Sequence, residues 1–236
     1  MKRVPKNRDE FYLTLMRNYK HMKNRNIKIV LFVLTVFYIA GCSTKPINLS
    51  VARDAVREYY ESGKYDEELN SVIEKAQQEF NEIAVKKNSA VIFDVDDTAL
   101  SNYEITKKMG FGYVNDMMDD WVLNAKATAI PQVKKLYRSL INKGINIIFL
   151  TGRKDFEYDA TYKNLMDQGY TKFDTLITRR KDEYNMKAVD YKSLKREELT
   201  KKGYEIIGTV GDQPSDLNGP YHGIQVKIPN YLYLIK

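Results

Sequence analysis

The stretch Val91-Ile92-Phe93-Asp94-Val95-Asp96-Asp97-Thr98 decides how the rest of the chain is read. Its apolar half carries the β-branched and aromatic side chains of a strand buried on both faces, and it then breaks into three carboxylates. In an open parallel sheet, ligands bind at the carboxyl ends of the strands, in the crevice where the strand order reverses. Asp94 and Asp96 are expected at such an edge, where a chain turning away after Asp94 aims both at one point. Carboxylates this close cannot all stay ionised without a cation among them, so the stretch implies a bound metal or a raised pKa. A second reading is a helix N-terminus capped by Asp97 or Thr98, with no chemistry attached. The segments further along bear on the choice.

Downstream, Pro131 opens a helix with the apolar stripe Val133, Leu136, Tyr137, Leu140 and Ile141, closed by Gly144. The strand Ile145 to Leu150 follows and ends at Thr151-Gly152-Arg153. A helix to about Gln168, a shorter strand Thr175 to Thr178, and a helix with Ser193 as candidate N-cap lead to a strand from Tyr204 to Val210, which ends at Gly211-Asp212. Strands and helices alternate, which predicts an α/β fold: a Rossmann-like, mostly parallel sheet with right-handed crossovers and helices on both faces. Upstream, two helical patterns, from about Ser50 to Glu61 and then along Tyr65, Leu69, Val72, Ile73, Ala76 and Phe80, predict an N-terminal helical extension. Residues 99–130 lack a clear strand and read as a small helical insertion over the acidic edge, a partial lid carrying Tyr103, Phe111, Tyr113 and Trp121.

The formal charge of +7 over 236 residues is not a nucleic-acid signal, because of where it sits. Residues 1–41 hold nine Lys/Arg and two Asp/Glu, a net of +7, so residues 42–236 hold 29 of each sign and are neutral. No nucleic-acid polymer is therefore expected as a partner. The basic residues belong to a leader: from Met22 a short basic region precedes the apolar run Ile29 to Ala40, too short to cross a bilayer comfortably, as in a secretory signal. Met22 is the better start, and residues 1–21 stand apart from the fold. The run ends Ile39-Ala40-Gly41-Cys42-Ser43, which resembles the lipobox of bacterial lipoproteins. Cys42, the single cysteine and so unable to form an intrachain disulfide, is the expected lipidation site. Residues 43–48 then form a tether and 49–236 the folded domain, secreted and held on the membrane of a bacterial cell envelope.

The three strongest strands end in Asp94 and Asp96, in Thr151, and in Asp212 with Asp216 four residues on, and a parallel sheet delivers all of these to one edge. Taken in order, the motifs Asp94-Val95-Asp96-Asp97-Thr98, Leu150-Thr151-Gly152-Arg153, Tyr191-Lys192-Ser193-Leu194-Lys195-Arg196 and Val210-Gly211-Asp212-Gln213-Pro214-Ser215-Asp216-Leu217 resemble the haloacid dehalogenase superfamily. Within it the chain is similar to the class B/C acid phosphatases, bacterial lipoprotein enzymes with relatives in plants, over about residues 50–236. Ala99, where relatives tend to carry a larger apolar residue, and Pro214, where plant members have an aromatic one, depart from the pattern.

The resemblance implies that Asp94 is the nucleophile toward a small phosphomonoester, and that Asp96 is the general acid and then the base for the hydrolytic water. It implies that Thr151 and a lysine hold the phosphoryl oxygens. Lys192 is the matching lysine, with Lys187 and Lys195 as rivals. Mg²⁺ is the implied cofactor, bound by Asp94, the backbone carbonyl of Asp96 and Asp212. Asp216 is expected to hold a metal water or to orient Lys192. Thr98 and Gly152 are expected at the substrate loops, and Arg153 is left between a phosphate contact and a pair with a helix acid. Histidine-based phosphatase chemistry is excluded by supply, since His21 lies in the leader and His222 stands alone. The competing class is non-catalytic: storage proteins among the plant relatives tend to lose the nucleophile, and a scavenging binding lipoprotein has no need of the acid at Asp96.

Overall fold

In the computed structural model, the apolar half of the acidic stretch is β1 (Ser89–Phe93), the central strand of a five-stranded parallel sheet. The structure describes residues 46–235 together with Met16 and Arg17; Cys42, Met22 and the rest of the leader lie outside the described residues. Residues from Asn48 onward form one unit. No helix among the described residues is long and apolar enough to cross a membrane.

The strand order follows from the crossovers. With β4 (Asn146–Lys154), β5 (Thr175–Arg179), β6 (Glu205–Gly211) and β7 (Ile224–Lys227), the order is β5-β4-β1-β6-β7. The chain builds outward from β1 on one side and then returns to build on the other, so the direction of winding reverses between β1 and β6. A crevice opens outside the carboxyl ends of the strands at such a point. Phe93 is level with Phe149 on one side and Val210 on the other, which puts Asp94, Thr151 and Asp212 just beyond the same edge.

All five residues of β1 are buried, as a central parallel strand covered on both faces requires. Val91 and Phe93 point to the larger core, made with Leu69, Ile73 and Phe80 of α2 (Lys64–Glu82) and with Val133, Leu136 and Leu140 of α5 (Pro131–Asn142). Ala90 and Ile92 point the other way, to Tyr191 and Leu199 of α7 (Ala188–Lys201). Gly208 in β6 is what lets α2 lie this close: a Cβ there would stand 2.4 Å from the Phe80 ring. Two further helices lie in crossovers, α6 (Tyr158–Asp167) between β4 and β5 and the short α8 (Pro214–Leu217) between β6 and β7.

The N-terminal extension is α1 (Leu49–Glu61) and α2, broken at Gly63, whose φ of 91° only glycine adopts cheaply. α1 buries no residue fully, yet it is not idle: Tyr60 stacks on Tyr103 at 4.7 Å, joining the extension to the insertion. The insertion differs from its expectation in one respect. β2 (Leu100–Ser101) and β3 (Thr128–Ala129) pair antiparallel at its base, and α3 (Tyr103–Lys108) and α4 (Asn115–Leu123) lie between them. Two-residue strands are too short to show an alternating pattern, so the sequence reads as helix and loop.

Two further differences matter for the site. Helix α7 begins at Ala188, so Ser193 lies inside it and is not its N-cap. Strand β7, whose alternation Ile224-Gln225-Val226-Lys227 spans only four residues and carries little signal in the sequence, closes the sheet beside Asp212.

Candidate active site

The crevice at the reversal point is a cavity of about 830 Å³ whose walls include Asp94, Asp96, Lys192, Asp212 and Asp216. Asp94 follows β1 directly and its backbone N–H still donates to Val210 in the sheet, so the strand fixes the position of its carboxylate. The alternation that sends Ile92 toward α7 sends Asp94 the same way, and Lys192 in the first turns of α7 meets it with its ammonium. Lys192 also donates to the Leu150 carbonyl at 2.7 Å and pairs with Asp216 at 2.9 Å. The rival lysines are placed elsewhere. Lys195 is locked in a buried pair with Glu183 at 2.6 Å, and Lys187 is exposed at the cavity wall.

Asp94, Asp212 and Asp216 bring one carboxylate oxygen each within 4.8 Å of one another. Asp216 reaches in because residue 211 is glycine: a Cβ there would lie 2.3 Å from that of Asp216. Asp212 accepts from Thr98 at 3.1 Å on one oxygen, and from Gln213 at 2.6 Å and Asn230 at 2.5 Å on the other. Burial and the neighbouring Asp216 push the Asp212 carboxyl up to about 6 against the pull of those hydrogen bonds. Burial raises Asp94 well above the carboxylate range, opposed by Lys192 and reinforced by Asp216. Burial alone would lower the Lys192 ammonium, but the charges of Asp216 and Asp94 override it and push its pKa up. Buried with one ammonium among them, the three carboxylates are short of positive charge, which is why Asp94 and Asp212 are raised, and a hard divalent cation among these oxygen donors would let all three ionise.

Asp96 is held differently. Arg153 grips it from Nη2 to Oδ1 at 2.7 Å and from Nε to Oδ2 at 3.0 Å, and the Arg153 side chain is 3% exposed. Burial would raise the Asp96 carboxyl, but the Arg153 charge and hydrogen bonds bring it below the usual range. The Asp96 side chain is 29% exposed, so water screens part of this pair, but the Arg153 guanidinium is buried and would be left without its carboxylate if Asp96 were removed. Asp97 turns the chain at a φ of 52°, in the left-handed region, and burial together with Asp212 pushes its carboxyl up to about 8, so it adds no charge at neutral pH.

The expected residues thus fall into groups. Asp94, Asp96, Gly152, Arg153, Lys192, Asp212 and Asp216 all reach the cavity wall. Thr151 is fully buried, its hydroxyl accepting from the Arg153 backbone at 3.2 Å. Thr98, expected at a substrate loop, is fully buried and contacts Asp212 instead, because the turn at Asp97 points its hydroxyl back toward β6. Arg153, left between a phosphate contact and a helix acid, lines the cavity and pairs with Asp96, which is not on a helix. Of the four insertion aromatics, Phe111 and Tyr113 line the cavity, while Tyr103 stacks on Tyr60 and the Trp121 indole is turned to Asn102.

Sequence reasoning misses Asn102, Asn230 and the C-terminal segment. That segment follows β7, and Leu232 to Ile235 form part of the cavity wall; Ile235 N–H donates to Gln213 at 2.9 Å. The apolar run Tyr231-Leu232-Tyr233-Leu234-Ile235 is a signal that something there is packed, though not where.

Comparison with known proteins agrees with this geometry. Residues 40–236 match the family model described as HAD superfamily, subfamily IIIB (acid phosphatase). The chain is 35% identical to a soybean stem 28 kDa glycoprotein over 78% of its own length and 74% of that protein. It is 34% identical to acid phosphatase 1 of tomato, over 77% and 74%. Among solved structures it resembles a class C acid phosphatase from Bacillus anthracis with tungstate bound, at a TM-score of 0.65 and 23% identity, covering 79% of this chain and 85% of that one.

Proposed function

The chain belongs to the acid phosphatases of HAD superfamily subfamily IIIB and is a phosphomonoesterase, and we propose that it works through an aspartyl-phosphate on Asp94 with Mg²⁺ as cofactor. The observation that carries the reading is the meeting of Lys192, Asp94 and Asp216 at the carboxyl edge, with Asp96 opening on the same cavity. A carboxylate oxygen of Asp94 attacks phosphorus and forms the acyl phosphate as the bond to the leaving oxygen breaks. Against burial, Arg153 holds Asp96 ionised in the free site, so Asp96 first takes a proton, at acid pH or from the monoanionic ester, and passes it to the leaving oxygen, which departs as the alcohol. Asp96, now ionised, removes a proton from water, whose oxygen attacks the phosphorus, releasing orthophosphate and restoring Asp94. Lys192 balances charge on the transferring group, and Gly152 in β4 lies at the cavity wall beside it, with Thr151 buried behind. Asp94, Asp212 and the Asp96 carbonyl, with the Asp216 carboxylate beside them, would hold Mg²⁺, which supplies electrophilic charge for the phosphoryl oxygens. Storage or binding without turnover has less support, because Asp94, Asp96 and Lys192 open on one cavity and binding alone has no need of an acid at Asp96.

The substrates we propose are small monoesters with a flat leaving group, nucleoside 5′-monophosphates or aryl phosphates. The support is Phe111 and Tyr113 on the insertion side of the cavity and Tyr233 on the C-terminal side. A stacked base is worth about 1–3 kcal/mol, so kcat/KM for a nucleoside 5′-monophosphate should exceed that for glucose 6-phosphate by about fivefold to a hundredfold. A ratio at or below one removes the stacking argument and leaves these rings as packing.

Anchoring at Cys42 completes the proposal, on the strength of the motif around it. Lipid at Cys42 should send the protein to the membrane fraction, and Cys42→Ala should leave it unlipidated with altered processing. Recovery of the wild type wholly in the cytoplasm would overturn this.

A further inference from the structure

Asn102 stands at the start of α3, where an asparagine ordinarily caps the helix with its side chain, yet it makes no such cap bond. Its side chain is spent elsewhere. The amide Oδ1 accepts from the Trp121 indole at 2.9 Å, and Nδ2 donates to Asp96 Oδ1 at 2.8 Å. The backbone N–H of the same residue donates to Asp97 at 2.8 Å. Asn102 is 3% exposed, so these bonds are made out of water. Their direction is set by chemistry: an indole N–H can only donate, so the amide oxygen must face Trp121, and the NH₂ group is then left for Asp96.

The consequence falls on one oxygen of Asp96. Oδ1 accepts from Asn102 and, at 2.7 Å, from Arg153 Nη2, while Oδ2 accepts from Arg153 Nε at 3.0 Å. Oδ2 is the oxygen with a lone pair to spare. We propose that Trp121 and Asn102 form a positioning relay through which the seating of the insertion selects Asp96 Oδ2 as the oxygen that carries the proton to the leaving group. Asn102 and Trp121 touch no reacting atom; they act through Asp96, and the inference rests on the reading of Asp96 as general acid. In the step concerned, the bond from phosphorus to the leaving oxygen breaks and its electron pair takes the proton from Oδ2. With the relay intact, the oxygen that Asn102 and Arg153 Nη2 leave alone is the one open to the proton in transit.

The test compares an alkyl phosphate with p-nitrophenyl phosphate, whose leaving group needs almost no protonation. General acid catalysis contributes about 10²–10⁴-fold, so Asp96→Asn should cost an alkyl ester at least about a hundredfold in kcat/KM and the nitrophenyl ester far less. Asn102→Ala should show the same selectivity at smaller size, about tenfold to a hundredfold on the alkyl ester and under about threefold on the nitrophenyl ester. Trp121→Phe keeps the ring and removes only the N–H, so it reads the relay without emptying the core, with an expected selective loss of about threefold to tenfold. Equal losses on both esters in Trp121→Phe, or no loss on either, overturn the relay. A non-selective Asp96→Asn overturns the acid assignment itself, so the two failures are distinguishable.

Discussion

Replacing Asp94 with asparagine should abolish turnover and leave the fold standing. The substitution changes one oxygen to an amide on a residue that is 7% exposed at the end of the central strand, and the backbone bond from residue 94 to Val210 is untouched. What disappears is the atom that would bond to phosphorus, and removing a covalent catalyst costs several orders of magnitude, about 10⁴-fold or more. Lys192 keeps the Leu150 carbonyl and Asp216, so it is not stranded. Stability should change little, since losing the buried pair with Lys192 opposes the gain from removing a buried charge. The folded state raises the Asp94 pKa, chiefly by burial, so at neutral pH the ionised group favours unfolding relative to a neutral side chain of the same shape. The measurements are phosphate release and thermal unfolding side by side, with acid-quenched wild type giving a phosphorylated peptide that contains residue 94. Activity above about a hundredth of wild type in the folded variant would sink the nucleophile assignment.

Chelation should remove activity almost completely, and Mg²⁺ should restore it. Among the described residues, Lys192 is the one cation ion-paired to Asp94 or Asp216, and Asp212 has no ion pair, so ionising all three carboxylates leaves two charges uncompensated. A dianionic phosphate must approach these. At about 4 Å and an effective dielectric near 20, each like-charged pair costs about 4 kcal/mol, which is about a thousandfold in rate, so no substrate reaches Asp94 productively without a cation. A second readout does not need substrate. Asp212, pushed up to about 6, holds its proton in the folded state where the unfolded chain has lost it, so the metal-free protein should lose stability as pH rises through that range. Mg²⁺ should therefore raise the unfolding temperature more at pH 7 than at pH 4.5. Full activity in excess chelator would mean that the acidic cluster does not bind the metal.

Much of this site is legible in the order of the residues alone. A run of buried-strand residues ending in a polar residue, at Asp94 and again at Thr151 and Asp212, determines a parallel sheet and an edge, because strand periodicity and helix periodicity are local properties that neighbouring residues express together. Once the sheet exists, parity along β1 commits Asp94 to the α7 side, and the glycine before Asp212 leaves room for Asp216. The partners of these residues come from the tertiary fold. Lys187, Lys192 and Lys195 are equally basic in sequence, and which one meets Asp94 depends on where α7 starts and how it sits on the sheet, 98 residues away along the chain. Arg153 on Asp96, a separation of 57 residues, depends likewise on the register of β4 against β1. Asn102 looks like a helix cap from its neighbours, and only packing of the insertion diverts its amide to Asp96 and Trp121. The insertion's four aromatics divide between cavity and core for the same reason: burial in three dimensions is set by contacts between segments that no local pattern records.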